Sequence, residues 1–92
     1  MNNYALIFNA LSDPIRLAIL KRLYAHNCVC VCEFIDMFDL SQSKLSYHLK
    51  SLLNAGLICK ESRGKWNFYA VNKDVVSKIL TQEVINELFI QE

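Results

Sequence analysis

Residues 40 to 57 read Leu-Ser-Gln-Ser-Lys-Leu-Ser-Tyr-His-Leu-Lys-Ser-Leu-Leu-Asn-Ala-Gly-Leu, and both ends of this stretch carry helix punctuation. Ser41 is an N-cap whose hydroxyl can accept from a backbone N–H one turn in, and Leu40 before it is placed to staple onto Leu45. Gly56 supplies the left-handed residue of a Schellman ending, with Leu57 folding back on Leu52. The spacing predicts one helix of about four turns between these signals. Leu45, Leu49, Leu52 and Leu53 form a single apolar stripe on it, and the opposite side carries Ser43, Lys44, Tyr47, Lys50, Ser51 and Asn54. No acidic residue lies on this helix. A solvated face normally mixes both signs, so lysines, a tyrosine, hydroxyls and amides without an acid suit a polyanion with hydrogen-bonding edges, a DNA groove.

The alternative, an ordinary surface helix that lacks acids, is weighed by the flanking charge. From Ser41 to Lys65, five cations (Lys44, Lys50, Lys60, Arg63, Lys65) face Glu61 alone, so this segment carries +4 in a chain whose total is +1. A contiguous basic segment is the electrostatic footprint of a nucleic-acid site, whatever the total.

Downstream of Gly56, Leu57-Ile58-Cys59-Lys60-Glu61 and Trp66-Asn67-Phe68-Tyr69-Ala70-Val71 are β-rich and separated by Ser62-Arg63-Gly64-Lys65, which predicts a hairpin with a basic tip over 57–71. A last helix is predicted over 73–90, with Val75, Val76, Ile79, Leu80, Val84, Ile85, Leu88, Phe89 and Ile90 covering more than one stripe. Such a helix needs two partners, its own core and a second subunit.

Upstream, Tyr4, Ile7, Phe8 and Leu11 follow helical spacing within a predicted helix over 2–11. Asp13 can cap the next helix, Pro14 suits its first position, and Ile15, Ala18, Ile19, Leu20, Leu23 and Tyr24 give it a buried face up to Ala25. His26-Asn27 reads as the following turn. Cys28-Val29-Cys30-Val31-Cys32 comes next, and Phe34, Ile35 and Phe38 predict a third helix over Val31 to Phe38 with the cysteines at its entrance. Residues 31–55 then have the dimensions of a helix-turn-helix. The whole, α-α-α-α-β-β-α in one domain over 1–92, is a mainly helical winged helix-turn-helix.

With those elements placed, the chain resembles the ArsR/SmtB family of metal- and metalloid-responsive repressors over nearly its whole length. Residues 8–17, Phe-Asn-Ala-Leu-Ser-Asp-Pro-Ile-Arg-Leu, resemble the family's first-to-second-helix signature. Cys30-Val31-Cys32-Glu33 resembles its metal box, the run from Ser41 to Leu49 its recognition helix, and Gly64-Lys65-Trp66 with Tyr69 its wing. The resemblance implies a homodimer, built on 2–11 and 73–90, that leaves its operator when thiolates capture a toxic ion. The chain departs from the arsenic-responsive pattern in having Ile35 where a third cysteine follows the box, and in carrying Cys28 ahead of it. The carboxylate and histidine site of the zinc-responsive members is absent from the last helix, which has Asp74, Glu83 and Glu87 but no histidine.

Three thiols in five residues favour soft acceptors, with trivalent arsenic or antimony expected as inducer and cadmium or lead as alternatives. In an ideal helix, residues two apart point about 200° away from each other, so Cys30 and Cys32 would have to unwind that turn to share an ion. In an extended segment Cys28, Cys30 and Cys32 all face one side, about 6.8 Å apart. Partial positive charge at a helix start is expected to favour their thiolates. The competing readings are small buried hydrophobes alternating with valines and a thiol-based redox or sulfur sensor. Cys59, alone in a strand, is expected in the core.

On the DNA side Gln42, Ser43, Ser46 and Tyr47 are expected at base edges, and Lys44, Lys50, Arg63 and Lys65 at phosphates of an inverted-repeat operator. His48, close to the apolar stripe, is expected in a structural or phosphate-contacting role. An enzyme is not expected: His26 and His48 lie in different elements without a matching acid and nucleophile, and there is no phosphate loop. The amino end lacks the features of a secretory signal, and no apolar run approaches the ~18 residues of a membrane span. The cytoplasm is the expected compartment.

Overall fold

The computed structural model describes residues 3–26 and 28–90. Position 2 of the expected first helix and Asn27 of the expected turn lie outside the described residues. The helices are α1 (Tyr4–Leu11), α2 (Pro14–Ala25), α3 (Val31–Phe38), α4 (Gln42–Asn54), α5 (Lys73–Ile79) and α6 (Gln82–Ile85); the strands are β1 (Val29–Cys30), β2 (Ile58–Arg63) and β3 (Trp66–Val71).

The local signals act where they stand in the sequence. Asp13 accepts from the backbone N–H of Ile15 and Arg16 at 2.7 and 3.3 Å, with Pro14 at the head of α2. Ser41 caps α4 by accepting from Lys44 N–H at 3.2 Å. The end of α4 is a Schellman motif: Leu57 N–H donates to the Leu52 carbonyl and Gly56 N–H to that of Leu53, both at 3.0 Å, with Gly56 at φ +76°. The turn from α3 to α4 is made by Asp39 at φ 49°, a conformation that aspartate tolerates better than most residues.

The core lies between the helices and the inner face of the sheet, around Ile19, Leu20, Leu23, Val29, Phe34, Leu45, Leu52, Leu57 and Val76. Three expectations change. First, the sheet has three strands in the order β1-β3-β2, because Val29 pairs with Tyr69 and Cys30 with Phe68. Second, the expected helix over 73–90 is broken: Leu80 is extended (φ −114°, ψ 141°), and Thr81 caps a new start by accepting from Val84 N–H at 3.2 Å. A π-helical turn, Asn86–Ile90, continues α6 and stacks Phe89 on Tyr24 with ring centroids 5.0 Å apart. Third, α1 buries Ile7 and Ala10, while Tyr4, Leu6 and Phe8 are exposed, as are Val84, Leu88 and Ile90 near the other end of the chain. Among the described residues these apolar side chains have no cover.

Candidate nucleic-acid interface and thiol site

The Leu45–Leu49–Leu52 stripe is buried, and this fixes how α4 is rolled on the core. Gln42, Ser43, Lys44, Ser46, Tyr47 and Lys50 are consequently exposed together, with Tyr47 at 64%. Beside them the hairpin turns at Gly64 (φ +63°) and Lys65, between Arg63 and Trp66, which face each other across the strands. A glycine with positive φ at the first turn position matches the right-handed twist of a two-residue hairpin. Lys65 is exposed at the tip. Arg63 lies over the Phe68 ring, 4.9 Å from its centroid, and donates to Glu61 at 3.0 Å. That bond, more than the nearby charges of Glu61 and Cys28, holds its guanidinium even more firmly protonated than usual.

His48 departs from the rest of the α4 residues expected at DNA. It is buried, 8% exposed, with Nδ1 accepting from Arg16 Nε at 3.1 Å. The correction has a geometric reason: position 48 sits one residue from Leu49 and on the stripe side of Tyr47, so its ring turns inward and takes the structural role. Arg16 itself is the functional candidate that sequence reasoning missed. It is 6% exposed, donates from Nη1 to the Asn9 carbonyl at 3.1 Å, and lies 5.6 Å from the centre of the Tyr47 ring. A signal for it existed, since Arg16 falls on the i, i+3, i+4, i+7 stripe made by Ile19, Leu20 and Leu23.

The cysteines are arranged differently from the expectation. Cys30 is extended (φ −71°, ψ 142°) because β3 holds it in the sheet, and α3 starts only after it. Cys32 therefore turns back toward it, and its thiol donates to Cys30 Sγ at 2.8 Å. Two sulfurs about 2.3 Å from one ion can be up to twice that far apart, so this pair is within range of a shared ion with no unwinding of the helix. The expected preference for thiolate does not hold for Cys32. Its hydrogen bond to Cys30, then desolvation and the neighbouring thiolate's charge, push its thiol up. Cys28 is exposed and within electrostatic reach of Arg63. Among the described residues no three His, Cys, Asp or Glu side chains come together as a metal site, so Cys28 stands apart from the pair. Cys59 is exposed, against the expectation of a core position. It pairs with Ala70 on the same outward face as Glu61, whereas Tyr69 and Val29 take the inward one.

The thiol pair is mechanically close to both parts of the candidate nucleic-acid interface. Helix α3 packs on α4, and β1, which carries Cys30, is hydrogen-bonded to β3 of the wing. Among the described residues no helix is long and apolar enough to cross a membrane.

Known proteins share both the sequence and the fold. The model of bacterial regulatory proteins of the arsR family matches residues 13–60. The chain is 43% identical over 84 residues to an arsenical resistance operon repressor of Bacillus subtilis, covering 91% of this chain and 80% of that one. It is 28% identical over 83 residues to a cadmium resistance transcriptional regulatory protein CadC homolog of Staphylococcus aureus, covering 90% and 69%. Among solved structures it is similar to HlyU from Vibrio cholerae, with TM-score 0.76, 30% identity, and 96% and 92% of the two chains covered.

Proposed function

The chain belongs to the arsR family of bacterial regulatory proteins, and from that premise we propose that it is a cytoplasmic, homodimeric repressor whose operator is released when Cys30 and Cys32 capture a trivalent arsenic or antimony ion. That it is a DNA-binding transcriptional repressor and not an enzyme follows from the family. The observation that carries the inducer is the 2.8 Å approach of the two sulfurs, one short helix away from the acid-free face of α4.

Gln42, Ser43, Ser46 and Tyr47 read base edges, while Lys44, Lys50, Arg63 and Lys65 hold phosphates of an inverted repeat. Capture begins at Cys30 and Cys32, and Cys28 swings in as the third thiolate, which suits a pyramidal trivalent ion. Closing that loop drags the start of α3 and, through the Cys30–Phe68 pairing, the wing. Both DNA-facing elements then lose their mutual alignment. Linkage requires the operator to weaken ion binding by the factor by which the ion weakens operator binding, typically about 5–150-fold.

The cadmium-regulator relative favours a second reading, in which cadmium or lead is the inducer. Disulfide formation by the same two thiols, as in a redox or sulfur sensor, is a third. One experiment separates them. The protein–operator complex is titrated with arsenite, antimonite, cadmium, lead and a mild oxidant, using the parent, Cys30→Ser, Cys32→Ser and Cys28→Ser. Release by arsenite or antimonite that is lost in the first two variants, with DNA affinity intact, is the expected result. A parent that stays on its operator at saturating arsenite and antimonite overturns the reading.

A further inference from the structure

The guanidinium of Arg16 is an almost fully buried cation whose partners are both neutral: His48 Nδ1 and the Asn9 carbonyl, each 3.1 Å away. Among the described residues the only ion pair is Arg63 with Glu61, so no carboxylate lies within 4 Å of the Arg16 guanidinium nitrogens; Asp13 reaches only its backbone N–H. Burying a charge without a counter-ion is costly, and folded proteins normally pair it. The two bonds use two of the five N–H groups of the fork. Nη2 makes no hydrogen bond to the described residues, yet it is not among the buried polar atoms sealed from solvent without a partner, where Arg22 Nε alone stands. The guanidinium carbon lies 5.6 Å from the centre of the exposed Tyr47 ring, which places the fork beside the face of α4 already assigned to DNA.

We propose that Arg16 binds the DNA backbone: an anion site, built into the α2–α4 junction, that a phosphodiester completes when α4 docks. This inference rests on the reading of α4 as the DNA-facing helix. The site is built for orientation as well as charge. His48 and Asn9 fix the plane of the guanidinium, and its approach to the Tyr47 ring restrains that side chain over the same phosphate. An arginine held in this way presents a rigid fork to phosphate oxygens, which a lysine cannot copy. Because Asn9 lies in the last turn of α1 and Arg16 in the first turn of α2, the site also ties the placement of the docked phosphate to the helix whose apolar side chains await a second subunit.

The test measures the dependence of the dissociation constant on salt for the parent, Arg16→Gln and Arg16→Lys, on a duplex selected by the parent from a random pool. Neutralising one phosphate fewer per subunit should lower the slope of log K against log salt by about 0.9 each, or about 1.8 for a dimer. Arg16→Lys should retain the slope while binding more weakly. A role confined to folding would change affinity or thermal stability and leave the slope of Arg16→Gln equal to the parent's; that outcome overturns the proposal while leaving α4 as the DNA helix. A parent that binds no duplex at any salt overturns both. Should Arg16→Gln fail to fold, the arginine side-chain NMR signals of the 15N-labelled parent decide the matter. Addition of the duplex should shift the Arg16 signals and slow exchange of its Nη protons. No change, or the same change with inorganic phosphate alone at equal phosphate concentration, overturns the proposal.

Discussion

Arg16 of α2 donates from Nε to Nδ1 of His48 in α4 across 32 residues of sequence, at 3.1 Å and between two buried side chains. An arginine can only donate, so the neutral imidazole must carry its own proton on Nε2. The bond fixes the tautomer of His48 and fastens α4, the helix proposed to face DNA, to the start of α2. Replacing His48 by alanine leaves Arg16 Nε without its acceptor in a buried position. The expected destabilisation is about 1–3 kcal/mol, larger than for the exposed neighbour Lys50→Ala. Urea denaturation of parent, His48→Ala, Arg16→Met and the double variant checks it, and near-additive effects would show that the bond contributes little.

The uncovered apolar side chains predict a dimer. Leu6 and Phe8 on α1, and Val84, Leu88 and Ile90 at the other end, are each at least 37% exposed, and burying such surface supplies roughly 25 cal/mol per Å². The purified protein should elute as a dimer at micromolar concentration. Phe8→Asp combined with Leu88→Asp should shift it to a monomer, with no remaining preference for an inverted repeat over random duplex. A monomeric parent would remove the twofold arrangement.

The wing prediction uses the difference between Lys65, exposed at the tip, and Arg63, paired with Glu61. Arg63→Ala and Lys65→Ala should each weaken binding to all sequences alike and lower the salt slope by about one for each phosphate left unneutralised in each subunit. Stability should hardly move, because an exposed pair such as Arg63 with Glu61 contributes ~0–1 kcal/mol. Equal salt slopes in variant and parent would take the wing off the DNA.

The raised pKa of Cys32 gives a pH test of the inducer. Arsenous acid enters as a neutral species, and each As–S bond formed replaces an As–O bond, the thiol proton leaving with hydroxide as water. Its affinity should therefore be nearly flat below the thiol pKa values. Cadmium or lead instead expels the proton of each thiol it takes, so its affinity should rise on the order of tenfold per pH unit for each proton released. That rise should persist beyond the ordinary thiol range, since the Cys30 hydrogen bond delays ionisation of Cys32. Isothermal titration between pH 6 and 9 (a range chosen around the ordinary thiol pKa of about 8.5) separates the two classes, and an arsenite affinity that climbs as steeply as cadmium's would contradict this chemistry.

Within a turn or two of each residue, the chain dictates its own structure. The caps at Asp13 and Ser41, the glycine exit at Gly56, the Leu45–Leu49–Leu52 stripe and the hairpin around Gly64 are decided by hydrogen bonds and side-chain spacings over short stretches, so they are legible in the sequence and hold in the fold. The restart at Thr81 is also a local signal, but the continuous apolar pattern of 73–90 masks it. Whatever depends on a distant partner waits for the packed molecule. Val29 and Cys30 are too short a run to declare a strand, and only β3, some forty positions on, extends them and thereby brings the Cys30 and Cys32 sulfurs together. Which face of the hairpin meets the core sets the exposure of Cys59, and an acceptor on another helix makes the burial of Arg16 tolerable. Periodicity reports that a side chain faces inward; what it meets there is fixed by how the elements pack.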